Sequence, residues 1–147
     1  MTEPDPSVRR TRVMVVDDED AMRRGVRRLL ERGPFEVHTA SSVAEARDLV
    51  GDRPEAWGLF LLDDHLADGR GIDLAAWLRG AGVPACTPVL LFTGAPVGCP
   101  EQLAAAGISG VVRKPFTIAG LMDAVLGAVC RARDDASSGS AALAHTA

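Results

Sequence analysis

The chain has 147 residues, the length of one ordinary domain, and its 47% hydrophobic and 24% charged residues are typical of a globular protein. A chain this long buries most of its unfolded surface on folding, so it needs neither disulfides nor a structural metal. A net charge of −4 argues against binding a nucleic-acid backbone, and 4% aromatics with no tyrosine leave little to stack on bases or flavins.

The first nine residues are polar and carry two prolines, which predicts a disordered lead-in over 1–9. Arg12–Val16, apolar throughout after its arginine, has the composition of a strand buried on both faces, and it ends in Asp17-Asp18. Asp20 can cap a helix in which Met22, Val26, Leu29 and Leu30 share a face, and Gly33-Pro34 ends it. A strand at Phe35–Thr39 leads to a helix opened by Ser41 or Ser42 and running to about Val50. The third strand, Trp57–Leu62, runs into Asp63-Asp64, and a helix follows over Gly71–Arg79. The fourth strand, Pro88–Phe92, ends in Thr93-Gly94, before a short helix from Pro100 to about Ala106. The fifth strand, Ser109–Arg113, precedes Lys114, and the last helix runs from Thr117 or Ile118 to about Arg131. The low-complexity stretch DDASSGSAALAHTA predicts a flexible tail or linker over 134–147, leaving a folded domain over 10–133.

Five such βα units predict an α/β fold: a doubly wound, five-stranded parallel sheet with helices on both faces. Cys86, Cys99 and Cys130 are odd in number and far apart, so they read as free thiols of a reducing cytosol. With prolines and acids where a signal peptide has its apolar core, and no membrane-length apolar run, the expected location is cytoplasmic.

In a doubly wound sheet the functional crevice lies at the carboxyl ends of the strands. Here those ends collect Asp17, Asp18, Asp63, Asp64, Thr93 and Lys114, the only lysine of the chain. Crowded carboxylates repel unless a cation offsets them. Oxygen ligands at this density suit Mg²⁺, and no His/Cys constellation competes for zinc. A carboxylate beside a dication and an ammonium can attack phosphorus and form an aspartyl phosphate. The strand pattern leaves Asp63 and Asp64 both open as the nucleophile.

Val15-Val16-Asp17-Asp18-Glu19, Leu61-Leu62-Asp63 with Leu66 and Gly71 beyond, Phe92-Thr93-Gly94 and Lys114-Pro115-Phe116 occur in this order at the ends of the expected strands. Together they resemble the receiver domain of two-component response regulators, over nearly the whole folded span. The resemblance implies the (βα)5 flavodoxin-like receiver fold and, through the spacing to Leu66 and Gly71, Asp63 as the phosphoacceptor. It also implies direct binding of Mg²⁺ (or Mn²⁺) by Asp18, Asp63 and the backbone carbonyl of His65, with Asp17 acting indirectly. Thr93 and Lys114 would contact the phosphoryl group, Gly94 would leave room for water, and Pro115 would follow a cis peptide bond. Three departures stand out. Ala67 replaces the usual proline, which should loosen the turn; Asp64 adds a charge beside the acceptor; and Val111 takes a position where many members carry an aromatic switch residue.

The implied function is a phosphoprotein of a phosphorelay, not a turnover enzyme. It would take its phosphoryl group from a histidine kinase or a histidine phosphotransfer protein and switch binding of a downstream protein target. No nucleic-acid or membrane partner is expected, and a homodimer through the helix 4–strand 5–helix 5 face stays open. The alternatives are an aspartyl-nucleophile phosphohydrolase, which has no cap for a substrate here, and a non-phosphorylated interaction module. Asp64 and Asp68 read as solvated carboxylates, Trp57 and Trp77 as packing residues. Arg23, Arg24, Arg27 and Arg28 read as a solvated stripe, with partner docking as the second reading. The residues after Arg133 are too few for an effector domain, so the chain reads as a stand-alone receiver or part of a longer protein.

Overall fold

The computed structural model describes the backbone of residues 10–145 and side chains through Arg133; the lead-in expected over 1–9 lies outside the described residues. Thirteen elements follow one another: β1 (Thr11–Val16), α1 (Asp20–Leu30), β2 (Phe35–Ala40), α2 (Val43–Val50), a 3-10 turn (Pro54–Ala56), β3 (Leu59–Asp63), β4 (His65–Leu66), β5 (Gly69–Arg70), α3 (Gly71–Gly80), β6 (Val89–Thr93), α4 (Pro100–Ala105), β7 (Gly110–Arg113) and α5 (Ile118–His145). The large sheet is parallel in the order β2-β1-β3-β6-β7, while β4 and β5 form a separate two-stranded antiparallel ladder. The strand order reverses between β1 and β3, so a crevice opens there at the carboxyl edge.

Strand residues alternate between two apolar layers. Val13, Val15, Leu59, Leu61 and Phe92 pack under α1 and α5, where Val26, Leu30, Leu121 and Val125 meet them. Met14, Val16, Phe60, Leu62 and Leu91 face the other way, onto Ala46 and Val50 of α2 and Leu74 and Leu78 of α3. Both faces are covered, which is why these strands read as unbroken apolar runs. Trp57 is buried against Phe60, and Trp77 lies beneath the Arg47 guanidinium in a cation–π contact between α2 and α3. Arg79 ties α3 to the α4–β7 turn by donating to the Gly107 carbonyl at 2.8 Å.

Two features differ from the sequence reading. The β4–β5 hairpin was not expected, because two-residue strands carry no periodicity to recognise. Helix α5 continues to His145, beyond the expected end near Arg131. After Arg131 the chain holds no proline and is rich in alanine, so nothing forces the helical backbone to stop where the apolar face ends.

Candidate phosphoacceptor and metal site

Register places the chemistry. Val16 pairs with Leu62, so Asp17 and Asp18 emerge beside Asp63, the last residue of β3. Asp63 pairs with Phe92 and Thr93 with Arg113, which brings Thr93 and Lys114 onto the same rim. One carboxylate oxygen from each of Asp17, Asp18 and Asp63 lies within 4.8 Å of the others. Asp17 is fully buried, Asp63 is 7% exposed, Thr93 is buried and Asp18 is open to solvent.

Lys114 is the one ammonium facing these carboxylates. Its Nζ donates to Asp17 Oδ2 at 3.3 Å, stands 3.6 Å from Asp63 Oδ1, and lies 4.5 Å from the centre of the Phe92 ring. The other Asp17 oxygen accepts the Glu19 N–H at 2.8 Å, and the Asp17 carbonyl accepts from Arg23 at 2.9 Å. Both Asp17 carboxylate oxygens are therefore held by the protein, whereas Asp18 projects freely. Burial pushes the Asp63 carboxyl above its ordinary pKa, and the nearby Asp17 and Asp18 push the same way. Lys114 and the His65 backbone N–H oppose them.

Three carboxylates against one ammonium leave an excess of negative charge in a partly buried cleft. Hard oxygen donors so arranged fit a small divalent cation such as Mg²⁺ or Mn²⁺, with waters and a ligand oxygen completing the shell. Among the described residues no His/Cys set offers a softer site.

The other residues named from the sequence lie around this centre. Thr93 Oγ1 accepts the Ala95 N–H at 3.1 Å, and the Ala95 carbonyl accepts from Arg113 at 3.0 Å. A Cβ built on exposed Gly94 would meet nothing nearer than Lys114 at 3.7 Å, so that side stays open. The Lys114–Pro115 peptide bond is cis. The Phe116 ring stands edge-on to Phe92, and Val111 is half-buried against the α3 layer.

The reading of Asp64 as a solvated carboxylate requires correction, whereas Asp68 is exposed as expected but is not without partners. Asp64 is 1% exposed and points away from Asp63: one oxygen accepts the Ile72 N–H at 3.3 Å at the start of α3, and the other pairs with Arg70. Asp68 is exposed, yet it accepts the Val43 and Ala44 N–H groups at the start of α2 at 2.8 and 3.0 Å. Those amides hold its carboxyl below the ordinary value. Both partners are distant or across a turn, so neither contact had a signal in local sequence. The turn left loose by Ala67 is thereby tied to a neighbouring helix. Sequence reasoning also missed Arg23, whose hold on the Asp17 carbonyl depends on the winding of α1 back over β1.

A groove of about 480 Å³ lies beside the site, between α1 and the start of α5. Met22, Leu29, Phe116 and the 63%-exposed Ile118 line it, with Arg28 and Arg32 at its rim. Among the described residues no helix is long and apolar enough to cross a membrane.

Comparison with known proteins places this geometry. The transcriptional regulatory protein SrrA of Staphylococcus aureus is 38% identical over 81 residues, which is 55% of this chain and 32% of SrrA. The chain thus spans about a third of the length of the curated relatives it matches. The non-phosphorylated HemR receiver domain from Leptospira biflexa aligns with a TM-score of 0.71 at 27% identity, over 82% of this chain and 94% of that one. A signal receiver domain from Vibrio parahaemolyticus aligns with a TM-score of 0.76 at 22% identity, over 88% and 97%. Residues 13–126 match the model of the response regulator receiver domain, and the chain belongs to that family of two-component systems.

Proposed function

We propose that this receiver takes a phosphoryl group onto Asp63 from the phosphohistidine of a histidine kinase or histidine phosphotransfer protein, with Mg²⁺ (or Mn²⁺) as cofactor. The observation that carries the reading is the meeting of Asp63 with Lys114 Nζ at 3.6 Å, beside the oxygens of Asp17 and Asp18. An Asp63 oxygen attacks phosphorus as the N–P bond breaks; the electron pair stays on the imidazole, which takes a proton from solvent. Lys114 turns from the carboxylates to the phosphoryl oxygens, and the Thr93 hydroxyl donates to another of them. Asp18, Asp63 and the His65 carbonyl would hold the cation, while Asp17, occupied by Glu19 and Lys114, would act indirectly. When bound, the cation supplies the positive charge that lets an anionic acceptor and an anionic phosphoryl group approach.

The apolar groove beside the site, with Arg28 and Arg32 on its rim, suits a helix of the phosphodonor, whose histidine then reaches Asp63. Loss of the phosphoryl group is hydrolysis from the open side at Gly94, so the chain is a switch and not a turnover enzyme. Thr93, Ala95 and Arg113 connect the phosphoryl site to the loop after β6 and the end of β7, a route that does not use an aromatic residue at position 111. A downstream protein target, or a second copy, would read the face of α4, β7 and α5. Such a switch works in the cytoplasm, where phosphohistidine donors are found.

The test is intact mass after incubation with Mg²⁺ and acetyl phosphate. The expected result is one Mg²⁺-dependent phosphoryl adduct on the wild type, absent from Asp63→Asn and retained by Asp64→Asn. No adduct on the wild type from either acetyl phosphate or a kinase, with Mg²⁺ binding confirmed, would overturn the reading in favour of an interaction module.

A further inference from the structure

The hairpin that follows the acceptor is held at both ends, and the outer tie lies on a different helix. His65 pairs with Arg70 and Leu66 with Gly69, which makes Ala67-Asp68 the turn. From that turn the Asp68 carboxylate takes the Val43 N–H on one oxygen and the Ala44 N–H on the other. Ser42 Oγ accepts the third amide, Glu45 N–H, at 3.1 Å. The first amides of a helix have no partner within it, so α2 starts satisfied only because the acceptor hairpin supplies two of the acceptors. A negative charge at that end of a helix is also electrostatically favoured.

Packing removes the remaining slack. Leu66 is buried in the layer against which Val43 packs, and a Cβ on Gly69 would stand 3.2 Å from Val43 Cγ2. At the base, Gly71 donates to the Asp64 carbonyl at 3.0 Å, and a Cβ there would stand 2.3 Å from the Asp63 carbonyl oxygen. His65 lies between the two ties, two residues from Asp63.

We propose that Asp68 is a positioning residue for phosphoryl acceptance. By fastening the hairpin tip to α2 it fixes the His65 backbone and the Asp63 carboxylate relative to Asp18 and Lys114. This rests on the phosphoacceptor reading above. It gives the chain a means of holding the acceptor loop that depends on a side chain and a neighbouring helix, at the point where Ala67 leaves the turn without backbone restraint.

The experiment compares the full chain with Asp68→Ala, Asp68→Asn and Ser42→Ala. Ser42→Ala removes a cap from the same end of α2 without touching the hairpin, so it measures the purely structural cost. Both alanine variants are expected to lower Tm. Of the two alanine variants, only Asp68→Ala is expected to slow phosphorylation by acetyl phosphate, roughly tenfold. Asp68→Ala, and not Ser42→Ala, is expected to speed amide hydrogen exchange at His65 and Leu66 in metal-free protein. Asp68→Asn keeps one acceptor oxygen and is expected to fall between it and the wild type; if Asp68→Ala does not fold, this variant carries the comparison. Wild-type rate and exchange in both Asp68 variants, or equal losses in Asp68→Ala and Ser42→Ala, would overturn the proposal. A wild type that takes no phosphoryl group at Asp63 overturns the phosphoacceptor reading itself and this one with it.

Discussion

Five aspartates stand in two short stretches at the carboxyl edge of the sheet, and they divide into two groups with opposite electrostatics. Asp17, Asp18 and Asp63 crowd around one lysine, and burial raises the Asp63 carboxyl. Asp64 and Asp68 each find donors of their own: Arg70 and the Ile72 amide for one, the first amides of α2 for the other. Asp63 and Asp64 are neighbours in sequence and both buried, yet they face opposite ways. A carboxylate with matched donors is part of the scaffold; a carboxylate left in excess is available for a cation or for chemistry.

Breaking the only positive charge in the unmatched group has the largest expected effect. Lys114→Ala should lower the rate of phosphorylation by acetyl phosphate about a hundredfold or more, read by intact mass against time. It should also destabilise the metal-free protein by about 2 kcal/mol in denaturant unfolding, because Asp17 then lies buried without its counter-ion. Within the matched group, Asp64→Ala should cost about 1–2 kcal/mol of stability by the same measurement and still take one phosphoryl group. A variant of Asp64 that abolishes the adduct would erase the distinction between the two groups.

Metal linkage sharpens the comparison further. Mg²⁺ at about tenfold above its Kd should stabilise the wild type by about 1.4 kcal/mol in a thermal melt, and a chelator should remove the gain. Asp18→Ala should lose this shift and Asp64→Ala should keep it.

The smallest effects concern pH, and the two groups should respond with opposite sign. The Asp63 carboxyl is raised above its ordinary 3.8, so the folded protein holds that proton more tightly than the unfolded chain does. Ionising Asp63 therefore destabilises the fold as pH rises above 3.8. Metal-free Asp63→Asn should melt roughly 2–5 °C above the wild type at neutral pH, with the gain vanishing on acidification below 3.8. Asp68 is lowered from 3.8, so its contribution is present above that value and is lost as pH falls through its folded pKa. Asp68→Asn should therefore melt below the wild type at neutral pH, with the deficit closing in acid.

What the sequence by itself determined is what period and order can carry. Runs such as Val13–Val16 and Leu59–Leu62 are apolar at every position because both faces of a parallel sheet are covered, so the strands are recognisable without knowing their neighbours. Once the strands are placed in order, the residues that end them must share one rim, which is why Asp17, Asp63, Thr93 and Lys114 could be named together. The end of α5 was less legible, since alanine-rich sequence without proline fits helix and tail equally well.

Only the tertiary structure decided how those charges are matched. Asp68 reaches an amide 25 residues away, Lys114 reaches Asp17 across 97 residues, and Arg23 turns back onto the Asp17 carbonyl. None of these contacts has a local pattern, because a carboxylate looks the same in sequence whether an arginine, a helix start or nothing faces it. Burial and direction set its charge state, and both are properties of the packed chain.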